Sequence, residues 1–240
     1  MINKVVKNAD EAIFEMLDNK LCLNLLLDGK TNQLTFDFID GEVGFRASRV
    51  SKANEIVSKA IGCKPYYRPK VLDATAGMGR DSLIMALLGC EVIMQERNFA
   101  IYHLLADALQ RFKQDPDSFD VSDKISLLEK NSIDSFDDVG GDGLIDNGLV
   151  ETHLAGIDVI YLDPMFPVRK KSALVKKEMR LFKLLAGEDP DADSLLDKAL
   201  NSKVKRIVVK RPKGAPFLAG KKPSHDIVAK KFRYYVYLRA

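Results

Sequence analysis

Four short strings in this 240-residue chain carry residue types at spacings that can do chemistry. The first is Asp73-Ala74-Thr75-Ala76-Gly77-Met78-Gly79-Arg80-Asp81. Small residues and glycines let a backbone pass close to a ligand between a strand and a helix. The carboxylate at the strand end can engage a positively charged group. The string is not a dinucleotide fingerprint, because Ser82 stands where the third glycine of G-x-G-x-x-G belongs. It is not a P-loop, because no Gly-Lys-Ser/Thr follows. A tight strand-to-helix turn without a ligand is its plainer reading. The second string, Glu96-Arg97, lies about 20 residues on, where a carboxylate can accept both ribose hydroxyls of an adenosine-bearing ligand. Alone it would be a solvated charge. The third, Asn131-Ser132, can bond an adenine edge or cap a following helix. The fourth is Asp163-Pro164-Met165-Phe166-Pro167. An aromatic amine has its lone pair delocalised into the ring. The Asp163 carboxylate or the Pro164 carbonyl can accept its N–H groups and localise that pair. Phe166 can stack on a flipped base. Such a reaction needs positioning more than a strong base. An ordinary Asp-Pro turn is the plainer alternative.

These strings need elements to present them. Val71–Ala74, Glu91–Gln95, Lys124–Leu128, Ile157–Leu162, Val204–Val209 and Tyr234–Leu238 read as strands. Helical spacing covers Asp81–Leu88, Phe99–Phe112, Ala173–Leu185 and Ser194–Leu200. Alternating strands and helices predict an α/β domain with a doubly wound, mostly parallel sheet. Ligands bind such sheets beyond the carboxyl ends of the strands, and all four strings fall just there. Residues 1–50 are expected to form a small N-terminal α+β subdomain and 51–240 the main domain. In the first, Leu21–Leu27 and the alternating Leu34–Ile39 suggest a hairpin closed by Asp28-Gly29-Lys30. A helix over Ser51–Ile61 stops at Gly62. Asp134–Glu151 reads as an acidic loop or a broken helix.

The net charge of +3 conceals a division. Residues 1–163 hold 17 Lys+Arg against 27 Asp+Glu, whereas residues 164–240 hold 20 against 7. The second part attracts polyanions. Its basic runs are Arg169-Lys170-Lys171, Lys176-Lys177, Arg180, Lys183, Lys210-Arg211-Pro212-Lys213 and Lys221-Lys222. They leave from the same sheet edge as the Asp163 string, which favours a track for a phosphate backbone over a merely solvated face. No stretch free of Asp, Glu, Lys and Arg exceeds nine residues, so no membrane span is expected. The start lacks the apolar region of a signal peptide. Cys22, Cys63 and Cys90 are isolated and odd in number, which fits a reducing cytoplasm and apolar packing rather than a disulfide framework. No metal site is expected. His103, His153 and His225 are far apart, and Asp134, Asp137, Asp138, Asp142 and Asp146 do not follow the EF-hand spacing.

An acidic strand end before Gly77-Met78-Gly79 is similar to the cofactor turn of S-adenosylmethionine-dependent methyltransferases. Asp163–Pro167 resembles the Asn/Asp-Pro-Pro-Tyr/Phe motif of methyltransferases that act on exocyclic amino groups. Together with Lys171-Ser172-Ala173-Leu174-Val175-Lys176-Lys177-Glu178-Met179-Arg180 and Lys210-Arg211-Pro212, these strings resemble the bacterial small-subunit ribosomal RNA methyltransferase J family over roughly residues 35–240. The resemblance implies a Rossmann-like class I methyltransferase fold and S-adenosylmethionine as cofactor. It implies methylation of the exocyclic N2 of a guanine in 16S ribosomal RNA, with that RNA or the small ribosomal subunit as partner. The cofactor would be held by the Gly77–Gly79 turn, Arg80, Asp81, Glu96, Arg97, Asn131, Ser132 and Asp163. Asp163 and Pro164 would orient the amine and Phe166 would stack on the base. The chain departs from the family pattern at Phe45–Ser51, where the family has a glycine-rich basic stretch, and at Asn131, where it has serine. Two rivals stand beside this expectation. One is the same fold acting on DNA adenine or a protein side chain. The other is an RNA-binding module that has lost the cofactor.

Overall fold

The computed structural model describes residues 13–27, 29–40, 55–136, 154–165 and 177–239. Phe45–Ser51, the acidic loop from Asp137 to Glu151, His153, Phe166, Pro167 and the basic residues Arg169 to Lys176 lie outside them.

The N-terminal strands β1 (Phe14–Leu17), β2 (Lys20–Leu27) and β3 (Lys30–Leu34) form an antiparallel sheet. Asp18 and Asn19 both take positive φ between β1 and β2, the conformation a two-residue hairpin requires. That dipeptide was the signal for β1, which the sequence reading lacked. The strand expected over Leu34–Ile39 is corrected: pairing with β2 ends at Leu34. Phe36 and Phe38 alternate because both are buried, not because they sit in a ladder. Phe36 packs 6.2 Å from the Phe182 ring and Phe38 edge-on to Phe112 at 6.0 Å.

The helices and strands that follow are α1 (Ile56–Ile61), β4 (Val71–Asp73), α2 (Arg80–Leu87), β5 (Val92–Glu96), α3 (Phe99–Gln114), α4 (Phe119–Ser122), β6 (Ile125–Glu129) and β7 (Val159–Leu162). Then come α5 (Lys177–Ala186), α6 (Ala192–Asn201), β8 (Arg206–Pro212), β9 (His225–Val228) and β10 (Phe232–Leu238). The strands form one seven-stranded sheet, ordered β6-β5-β4-β7-β8-β10-β9. β4 to β8 run parallel, and β10 is antiparallel to both its neighbours. β9 was not foreseen, since His225–Val228 is short, largely exposed and not apolar-alternating. The inner strands are apolar runs buried on both faces, as a doubly covered parallel sheet demands.

One face packs α1, α2, α3 and α5 around Leu83, Leu104, Leu105, Phe182 and Tyr161. Leu23, Leu25 and Leu34 of the N-terminal sheet join that same cluster. The other face packs α6 against Ile93, Ile160 and Ile207. In α3 the buried positions Ala100, Ile101, Leu104, Leu105, Ala108, Leu109 and Phe112 form one stripe. Its start is capped by Asn98, which accepts the Ile101 N–H at 3.1 Å. β4 lies between β5 and β7, so the connections diverge there and open a crevice at its carboxyl end. Among the described residues no helix is long and apolar enough to cross a membrane.

Candidate active site

The glycine turn leaves β4 into that crevice. Gly77 and Gly79 have φ of +53° and +67°, a region an L side chain rarely adopts. The turn is laced to its neighbours: Ala74 N–H donates to the Tyr161 carbonyl at 3.0 Å and Ala76 N–H to the Gln95 carbonyl at 3.1 Å. Asp73 faces inward. Only 2% exposed, it accepts the Ser82 hydroxyl and, at 3.1 Å, the Thr75 N–H. Its carboxylate thus shapes the turn rather than presenting itself at the cleft. Burial pushes its pKa up to about 7, with Asp81 and Asp163 adding to the rise and the Ser82 and Thr75 donors opposing it. The folded protein therefore keeps this proton to higher pH than the unfolded chain. Stability from this group is full below about pH 4 and falls by roughly 4 kcal/mol as pH rises to about 7. Asp73→Asn is expected to flatten that decline in denaturant midpoint against pH.

Glu96 ends β5 with both oxygens engaged. Oε2 accepts the Gly77 N–H at 2.9 Å and Oε1 the Asn98 N–H at 2.7 Å. Burial raises its pKa and these two donors oppose the rise. The carboxylate is thus fixed against the turn, and each oxygen keeps a lone pair for a ribose hydroxyl. Arg97 turns away to a double ion pair with Asp189 at 2.6 Å and Asp191 at 2.5 Å. Asp189 also accepts the Met165 N–H at 2.6 Å. One carboxylate therefore ties the β5 end to the Asp163 string, a link with no signal in local sequence. Arg80 is paired with Glu178 of α5 at 2.7 Å.

Asn131 takes the capping role: its side-chain oxygen receives the Ile133 N–H over a long 3.4 Å contact. Ser132 is buried and donates to the Ala74 carbonyl at 2.8 Å, holding the β6 end against the glycine turn.

Asp163 ends β7. Its N–H donates to Thr75 Oγ1 at 2.6 Å, so the first and fourth strings meet directly. Its Oδ2 accepts Lys210 Nζ at 2.8 Å. The same ammonium reaches Asp81 Oδ2 at 2.7 Å, which also receives the Tyr161 hydroxyl at 2.6 Å. The Asp163 side chain is 40% exposed at the mouth of the crevice, but the surrounding protein still strips solvation and raises its pKa against the pull of Lys210. Among the described residues nothing occupies Asp163 Oδ1. Pro164 is buried beside it.

The basic track is corrected at Lys210 and Arg211, and Lys221 of the track is ion-paired. β8 carries on through Lys210 and Arg211, so Lys210 is drawn onto the two carboxylates and Arg211 is only 5% exposed. Lys221 pairs with Asp197 at 3.0 Å. The sequence reading also missed Thr75 and Tyr161 as partners of the site. Among the described residues no three His, Cys, Asp or Glu side chains group as for a metal ion.

These side chains suit a ligand with a cationic end and vicinal hydroxyls. Asp81, Asp163 and Glu96 surround the turn; Asp81 and Asp163 share the single Lys210 ammonium, and Arg80 and Arg97 are paired with other carboxylates, so acidic groups outnumber the cations left to the crevice. A ligand carrying a diphosphate would meet carboxylates. The comparisons agree with this chemistry. A family described as "Putative SAM-dependent methyltransferase" matches residues 2–239. The chain is 45% identical over 202 residues to ribosomal RNA small subunit methyltransferase J of Hahella chejuensis, covering 84% of this chain and 70% of that one. It is 42% identical over 234 residues to the protein of the same name from Photobacterium profundum, covering 96% and 88%. The crystal structure of a SAM-dependent methyltransferase from Neisseria gonorrhoeae superposes with a TM-score of 0.69 at 31% identity, covering 95% of this chain and 82% of that one. By fold, site and relatives spanning nearly its whole length, the chain belongs to the S-adenosylmethionine-dependent methyltransferases whose curated members are named ribosomal RNA small subunit methyltransferase J.

Proposed function

We propose that the chain, acting in the cytoplasm, methylates the exocyclic N2 of a guanine in 16S ribosomal RNA. The observation that carries this is Asp163: its Oδ2 is clamped by Lys210 and its N–H by Thr75, and among the described residues no hydrogen-bond partner stands at Oδ1, the oxygen that would accept an amine N–H. The names of the relatives support small-subunit ribosomal RNA as the substrate.

S-adenosylmethionine supplies the methyl as a sulfonium-activated electrophile. Glu96 would hold its ribose, the Gly77–Gly79 backbone would let it lie close, and Asp81 and Asp163 would face its cationic end. Arg80, Arg97, Asn131 and Ser132 would shape this pocket through the pairings above. Asp163 Oδ1 and the Pro164 carbonyl would accept the two N–H groups of the guanine amine and free its lone pair. Phe166 would stack on the flipped base. Asp163, with its raised pKa and partial exposure, is placed to take up the released amine proton and pass it to water.

RNA would approach over the carboxyl edge of the sheet. Phe232 pairs with Pro212, which sets the exposed turn Lys230-Lys231 beside the end of β8 and Lys213. Methyl transfer to 16S RNA from a strain lacking this activity should yield N2-methylguanosine on nucleoside digestion. Methylated adenine in DNA, or a methylated protein, would move the assignment to a rival. If about six phosphates are neutralised, RNA affinity should fall roughly 10³-fold between 50 and 200 mM salt.

A further inference from the structure

Lys210 was grouped with the phosphate-binding residues by sequence, and its surroundings argue otherwise. We propose that Lys210 is a positioning residue for methyl transfer: its one ammonium, shared between Asp81 and Asp163, holds the Asp163 carboxylate in place as acceptor of the substrate amine. The inference rests on the reading that Asp163 orients that amine.

Three separate elements meet at this ammonium. β8 supplies Lys210, the first turn of α2 supplies Asp81 at 2.7 Å, and the end of β7 supplies Asp163 at 2.8 Å. Tyr161, one pleat back on β7, donates its hydroxyl to the same Asp81 oxygen at 2.6 Å and so fixes the far side of the bridge. The Phe232 ring of β10 lies 5.2 Å from Nζ and screens it from water. The lysine side chain is 21% exposed, with two of its three N–H donors committed to carboxylates. A phosphate would have to compete with both for the one charge.

A point charge on a flexible stem suits this task. It can sit between two single oxygens, which a planar guanidinium fork cannot do as well. The charge also sets the protonation of the site. Around Asp163 stand the Asp73 carboxylate from β4, Asp81 from α2, the Tyr161 and Tyr234 phenols from β7 and β10, and the Arg211 guanidinium from β8. Burial alone would lower the Lys210 ammonium, but its two carboxylates outweigh burial and hold it well above the ordinary lysine value. It therefore stays charged throughout the working pH range. Without it Asp81 and Asp163 lose the ammonium they share, and Asp163, the more exposed of the two, takes a proton more readily and loses its grip as an acceptor.

The test compares Lys210→Met, Lys210→Arg and Asp163→Ala in steady-state methyl transfer to 16S RNA against pH. Lys210→Met should lower kcat roughly 10²-fold at neutral pH, with KM for RNA within about threefold, and should regain part of the loss as pH rises. The acid limb of its profile should move up by about one pH unit. Lys210→Arg keeps the charge and should leave the acid limb in place while lowering kcat. If Lys210→Met does not fold, Lys210→Arg decides: reduced kcat with unchanged KM supports the inference, and full kcat overturns it. A Lys210→Met enzyme with normal kcat and acid limb, but a raised KM and a shallower salt dependence, overturns it in favour of a phosphate contact. Asp163→Ala separates the two layers. If it is fully active, the reading of Asp163 fails. If it is inactive while Lys210→Met has the parent pH profile, only the lysine inference fails.

Discussion

Asp163→Ala is expected to lower kcat for methyl transfer roughly 10²–10³-fold, the scale seen when one preorganised polar contact to a reacting group is removed. The guanine amine is a poor nucleophile because its lone pair belongs to the ring. A fixed acceptor on one N–H favours the geometry in which that pair is available. Fixing the acceptor is what the structure does: Thr75 takes the Asp163 N–H and Lys210 takes Oδ2. Asp163→Asn retains an acceptor oxygen and loses the charge and the ion pair, so its loss should be smaller, roughly tenfold. Affinity for RNA should change little in either variant, since the contact acts on one amine rather than on the phosphates. Single-turnover rates with saturating RNA read the effect directly. Rates within threefold of the parent for Asp163→Ala would remove Asp163 from the chemistry.

Gly79→Ala should be the most damaging small substitution in the turn. A Cβ there would stand 2.7 Å from both Leu105 Cδ1 and Phe38 Cζ, and 3.3 Å from Met94 Sδ. Its φ of +67° adds about 1–2 kcal/mol of backbone strain for any L side chain. Displacing packed neighbours adds about 1–3 kcal/mol. The sum, about 2–5 kcal/mol, is a large share of the roughly 5–15 kcal/mol that holds a domain folded. Gly77→Ala shares the left-handed φ, but its Cβ would meet only the tip of the Phe182 ring, at 3.1 Å. It should cost less, about 1–2 kcal/mol, mostly from the backbone. Denaturant midpoints of the two variants give the order. Equal midpoints would mean that Phe38 and Leu105 yield freely, and that the turn is not braced from behind.

That bracing shows why the N-terminal strands were hard to read. Phe36 and Phe38 alternate as a strand would, yet their partners are helices. Period-two burial arises whenever an extended segment lies on a surface, whether or not a ladder forms. The inner strands posed no such problem. Val71-Leu72 and Val159–Leu162 are apolar on both sides because helices cover both faces of the sheet, and that condition is written in the local sequence. Gly62 as a helix stop was legible for a similar reason: its φ of +83° is a local demand.

By itself, the sequence determined where the chemistry sits along the chain. An acidic strand end before Gly77-Met78-Gly79, Glu96 after β5 and Asp163-Pro164 after β7 are each decided within a few residues of a strand terminus. Strand order then carries them to one edge. Which side chains grip each other there was decided only by the tertiary structure. Lys210 meets Asp163 across 47 residues and Asp81 across 129, and no local pattern separates a lysine aimed at phosphate from one drawn between carboxylates. Asp189 reaches Met165 and Arg97 from a loop that carries no motif. Cys63 and Cys90, isolated in sequence, lie with sulfurs 3.6 Å apart and are not joined in a disulfide. In every case the reason is the same. Backbone geometry follows from neighbours in the chain, whereas charge pairing follows from neighbours in space. A buried ammonium persists only where the fold has brought its carboxylates to it.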